Sequence, residues 1–124
     1  MDKAAQGKEC KTIFAYFNKF DELLSKKSSS TTVDDFLSFD NIFEALSVKA
    51  AYSIRETYAM IKASEAPKKT KDNEMFASDV VTLTRNHLHR SMLSLAKDRV
   101  DAYEFKDKNI IPHLEVLLKI FAVN

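Results

Sequence analysis

The stretch from Phe76 to Asn124, FASDVVTLTRNHLHRSMLSLAKDRVDAYEFKDKNIIPHLEVLLKIFAVN, decides the fold. At about 100° of rotation per residue, Phe76, Val80, Val81, Leu83, Leu88, Met92 and Leu95 fall within one broad arc of a single long helix. An arc that broad needs more than one neighbour to cover it. A short polar connection, Tyr103 to Asn109, leads to a second apolar run in which Leu114, Leu117, Leu118 and Phe121 share a stripe. No glycine cap, proline or polar tail follows Phe121. A helix that stops on apolar residues implies a continuation or a partner, and so a piece of something larger. Leu117, Phe121 and Val123 are accordingly the candidate interface residues.

Outward from this stretch, the composition supports helices throughout. The chain has 124 residues, the length of one domain, and only one glycine and two prolines, too few for the turns of a sheet protein. From Asn41 to about Ser64, Phe43, Leu46, Ala50, Ile54, Tyr58 and Ile61 keep the helical period, and Ala50, Ala51 and Ser53 are small enough for a neighbouring helix to approach closely. Arg55 and Glu56 read as flank charges. Pro67 ends this helix in a lysine-rich break, EAPKKTKDN, and Asp72 or Asn73 can cap the helix that follows.

Nearer the start, Ile13, Phe17, Phe20 and Leu24 mark one side of a first helix, widened by Tyr16 and Leu23. The aromatic group Phe14, Tyr16, Phe17 and Phe20 could be a binding surface, but core packing is the simpler reading. Lys8, Lys11 and Lys19 read as a solvated face. The break SKKSSSTT disfavours continued helix because serine and threonine compete for backbone hydrogen bonds. Thr31 or Thr32 can then cap a short helix over 33–39 with Asp34 and Asp35 in its first turn, and Asp40 can cap again. The main helices are expected near 8–26, 41–64, 74–101 and 111–123. The expected core is Phe17, Phe20, Phe43, Leu46, Ile54, Val80, Leu83, Leu88, Leu95, Leu114 and Leu118.

Several functions are disfavoured. A net charge of +1 with both signs well mixed gives no basis for nucleic-acid binding. No run of about 18 apolar residues is present, so no membrane span is expected. The leading MDKAAQGKE lacks the apolar core of a signal peptide, and no targeting signal is visible. A lone cysteine, Cys10, cannot form an internal disulfide. His87 and His89 lie two apart, so a helix points them about 200° away from each other and they cannot share a metal from one helix. His87 projects near Val80 and Leu83 and reads as a hydrogen-bonded core or boundary histidine. Arg85, at the edge of the arc, is expected in an internal ion pair. There is no glycine-rich phosphate loop, nucleophile elbow or metal-spaced cluster. No catalytic residue and no metal ligand is assigned.

Three stretches, FDNIFEALSVKAAYSIRETYAMI, FASDVVTLTRNHLHRSMLSLAKDRVDAY and NIIPHLEVLLKIFAVN, resemble in order, length and pattern the C-terminal helical domain of acyl-CoA oxidases. The likeness covers most of Asp35 to Asn124; the ending KIFAVN stands where the family has a Leu-Tyr-Ala-Leu-like sequence. The resemblance implies an FAD enzyme of peroxisomal fatty-acid β-oxidation that converts acyl-CoA and O2 to trans-2-enoyl-CoA and H2O2. It also implies that the catalytic glutamate and the main flavin and acyl-CoA contacts lie in a dehydrogenase-like part outside this chain. No catalytic or flavin-binding residue is transferred, and no cofactor is expected on this chain alone. Its implied partners are the rest of the oxidase and a second subunit of a homodimer. The expected architecture is an all-α helical bundle, a single domain over 1–124 that lacks the dehydrogenase-like flavin domain. A stand-alone helical interaction module is the alternative reading, and a ligand-carrying bundle rests only on the phenylalanine-rich first helix.

Overall fold

Two long helices form the frame, because long uninterrupted helical periods are what the middle of the chain offers. In a computed structural model, residues 8–28, 30–102 and 107–124 are described, without the side chains of residues 12, 72 and 73. The N-terminal residues 1–7, Ser29 of the Ser/Thr break, residues 103–106 of the polar connection and the capping side chains expected at 72 or 73 lie outside the described residues. A 3-10 helix, Thr12–Lys19, runs into α1, Phe20–Ser25; then follow α2, Val33–Phe36, and α3, Phe39–Ala63. The short α4, Lys68–Thr70, leads through a π-helical turn, Lys71–Met75, to α5, Ala77–Ala102, and α6, Ile110–Val123, closes the order. No strand occurs among the described residues, so the all-α expectation holds. No described helix is long and apolar enough to cross a membrane.

The helix ends follow local chemistry. Thr32 accepts from the Asp35 backbone N–H and Asp35 returns the bond, a reciprocal cap that starts α2. The cap of α3 is Ser38, whose hydroxyl accepts from the Asn41 backbone N–H at 3.4 Å, and not Asp40, which sits inside the first turn. The first segment departs from a regular α-helix. Its phenylalanines stand three apart, and a three-residue turn eclipses them. Phe14–Phe17 and Phe17–Phe20 then meet edge to face at 5.7 and 5.6 Å.

α3, α5 and α6 pack on one another, and α1 lies on α3. The α3–α5 contact is made by small and polar residues, as Ala50, Ala51 and Ser53 require. Ala50 and Ala51 are fully buried, Asn86 donates to the Ser53 hydroxyl at 2.7 Å, and Arg90 donates to Ser47 at 3.0 Å. The core is two small clusters. One joins Tyr16, Ala50 and Ile54, flanked by Phe17, Phe20, Leu23 and Leu83. The other joins Ile42, Leu93 and Ala122, flanked by Phe39, Phe43, Leu46 and Leu118.

Two expected core residues are not core. Leu88 and Leu95 are 48% and 55% exposed, along with Val81 and Met92. The physical reason is rotation of α5. It turns His87, Ser91 and Leu93 inward, where small residues of α3 leave close-packing room, and carries half of its apolar arc away from both neighbours. Val80, Leu83 and Leu114 are half-buried rather than enclosed. α6 is rotated in the same sense: Leu118 and Ala122 face the core, while Leu117 and Phe121 face out.

Candidate functional site

The outward apolar residues of α5 and α6 meet in a groove. Val80, Val81, Thr84, Arg85, Leu88, His89 and Met92 form one wall, and Phe121 and Asn124 the other, around about 610 Å³. The groove exists because α5 and α6 pack along Leu93 and Leu118 and splay their other apolar residues to the solvent side. His89 pins the two walls. Its Nε2 lies 2.9 Å from the Phe121 carbonyl oxygen, and its ring meets the Phe121 ring edge to face at 4.8 Å. Arg85 stands exposed on the rim and forms no ion pair among the described residues, contrary to expectation. Helical rotation put it beside Leu88 and Val81, away from the acids of α3. Of the interface candidates, Leu117 and Val123 are about as exposed as Leu95, and Phe121 belongs to the groove itself.

On the opposite side of α5, a second constellation is closed. His87 is buried, with Nδ1 2.8 Å from the Tyr16 hydroxyl and the Phe14 ring stacked on it at 4.8 Å. The Arg90 guanidinium lies 4.1 Å from the centre of the Tyr16 ring and 4.7 Å from that of Phe43. Burial, and then the Arg90 charge, push the His87 imidazole below its ordinary value. Burial pushes the Tyr16 phenol up to about 12, with Arg90 opposing. Arg90 is itself pulled down by burial. Nε2 of His87 and the Ser91 hydroxyl, one turn further along α5, are buried without a hydrogen-bond partner among the described residues.

The two histidines thus point to different neighbours, as their spacing requires: His87 to the 3-10 segment, His89 to α6. Among the described residues no three histidine, cysteine or acidic side chains gather at metal-binding distance. The sequence marks Tyr16 only as part of an apolar stripe and an aromatic group, and does not show its partners. Its partner His87 lies 71 residues away, and Arg90 is among the few charged residues on the α5 face that turns inward.

Helices packed through a small-residue contact, an apolar groove open to solvent and a closed histidine cluster define an all-helical domain. Comparison with known proteins sharpens that class. The family model described as Acyl-CoA oxidase matches residues 38–124. An acyl-coenzyme A oxidase of Debaryomyces hansenii is 29% identical over 117 residues, covering 94% of this chain and 15% of the relative. No solved structure matches. The chain belongs to the acyl-CoA oxidase family; it spans under a sixth of that relative's length.

Proposed function

We propose that residues 1–124 are a single non-catalytic domain, the C-terminal helical part of an FAD-dependent acyl-CoA oxidase of peroxisomal fatty-acid β-oxidation. Its role is to pack against the dehydrogenase-like body and a second subunit. The open face formed by Leu88, Met92, Leu95, Leu117 and Phe121 carries this reading, because a helical domain with both walls of a groove apolar has area to bury. The whole enzyme oxidises acyl-CoA to trans-2-enoyl-CoA and reduces O2 to H2O2, with the flavin supplying the redox chemistry when bound.

The residues of the groove do not fit the flavin itself. A dinucleotide pyrophosphate needs free backbone N–H groups or several cations. Here α5 passes the groove in mid-helix with its backbone donors used internally, and Arg85 is the one arginine or lysine in the lining. No step of the oxidation is therefore routed through this chain.

The test is co-expression of the chain with the remainder of the Debaryomyces hansenii oxidase. A stable complex is expected, lost when Leu88 and Leu117 are both changed to aspartate. Absence of a complex with the unaltered chain, with the chain itself folded and monomeric, would favour an independent interaction module.

A further inference from the structure

The 3-10 segment and α1 are held on the bundle through a contact that contains a buried histidine beside a permanent cation. We propose that Tyr16, His87 and Arg90 form an acid-released latch, which keeps residues 12–25 docked on α3 and α5 at neutral pH and frees them when His87 takes up a proton.

Geometry carries the argument. The segment reaches α5 through Tyr16, whose hydroxyl meets His87 Nδ1 at 2.8 Å, and through Phe14, whose ring lies parallel to the imidazole within 6°. A neutral imidazole that accepts the Tyr16 hydrogen bond at Nδ1 carries its own N–H at Nε2, which is already buried without a partner among the described residues. A second proton puts a full charge there. Among the described residues, the groups facing His87 offer nothing to balance it. The 3-10 segment presents Phe14, Tyr16 and Phe17; α5 presents Arg90; and α3 reaches this cluster through Phe43 and Ser47, which hold Arg90. Tyr16 is the only titratable group of the segment among them, and a phenol is neutral through the acid range, the more so as burial pushes it up to about 12. Relief comes by moving the segment, since Phe14, Tyr16 and Phe17 are what enclose the ring. Departure of residues 12–25 admits water to His87 and uncovers Ala50, Ile54 and Leu83.

The sign is fixed by the direction of the shift. His87 sits below the ordinary 6.5 when the segment is docked, so the undocked chain binds the proton more tightly. Docking is fully favoured above pH 6.5 and weakens as pH falls below it, by up to about tenfold per pH unit for one proton. This inference is independent of the proposed role in an oxidase.

Hydrogen–deuterium exchange of the full chain tests it, corrected for intrinsic exchange, from about pH 7.5 to about pH 5 so as to bracket an ordinary histidine. Protection of residues 12–25 should fall with pH while residues 42–60 of α3 hold theirs. His87→Asn, which keeps a hydrogen-bonding group near Nδ1 and cannot titrate, should remove the pH dependence. Protection that is flat with pH in the unaltered chain, or a pH dependence that survives in His87→Asn, overturns the latch. If His87→Asn does not fold, the His87 ring signals followed by NMR decide: titration below 6.5 supports the latch, and titration at or above 6.5 overturns it.

Discussion

Leu93→Ala is the substitution that most sharply separates the observed packing from the apolar pattern. Leu93 is fully buried between Ile42 and Ala122, with Phe39, Phe43, Leu46 and Leu118 around it. Those neighbours come from two other helices, and their side chains are pinned by their own packing, so the space left by three carbons closes poorly. Lost transfer energy and the residual cavity together cost about 2–5 kcal/mol. For a chain of this length, at roughly 3–5 °C per kcal/mol, the melting temperature should fall by roughly 6–25 °C. The control is Leu95→Ala, two residues on, at a position 55% exposed. It should stay within about 0.5 kcal/mol of the parent. Paired thermal melts followed by circular dichroism at low protein concentration provide the assay. Equal losses in the two variants, or a larger loss in Leu95→Ala, would refute the orientation of α5.

The buried phenol gives a spectroscopic prediction. One tyrosine should ionise near pH 12, and because the folded value is raised, its contribution to stability is intact below about pH 10 and is lost as pH climbs from there to about 12. Ultraviolet titration of the parent against Tyr16→Phe would show the phenol missing from the variant. Arg90→Ala should destabilise by about 1–3 kcal/mol, through the lost Ser47 hydrogen bond and the contacts with Tyr16 and Phe43, as read by urea midpoints. Replacing Leu117 and Phe121 by serine should weaken any self-association by roughly thirtyfold to nearly a thousandfold, at about 1–2 kcal/mol per side chain; sedimentation velocity measures it.

The helices were legible because long periods and missing glycine leave few alternatives. α3 and α6 begin and end within two residues of the expected positions. The rotation of α5 was not legible. A helical pattern marks which residues are apolar, but Val81, Leu88, Met92 and Leu95 are as apolar facing solvent as they would be in a core. What chose the inner face was the small-residue surface of α3, which α5 meets through Asn86 on Ser53 and Arg90 on Ser47, while the first segment takes the ring of His87. Leu93 stands off the apolar arc, so periodicity does not mark it as core. The buried, hydrogen-bonded setting expected for His87 is found, whereas its bond to Tyr16 required knowing that the first segment folds back over α5. The change from α to 3-10 geometry at Thr12–Lys19 was foreshadowed only by the three-residue spacing of Phe14, Phe17 and Phe20.

The most direct test of the account is to give the purified chain FAD, an acyl-CoA and oxygen, and to measure bound flavin by its visible absorbance and released H2O2 by a coupled assay. The account predicts a colourless protein with no peroxide above the blank, and both signals only when the dehydrogenase-like part is joined to it. Stoichiometric FAD and acyl-CoA-dependent peroxide from the chain alone would contradict it.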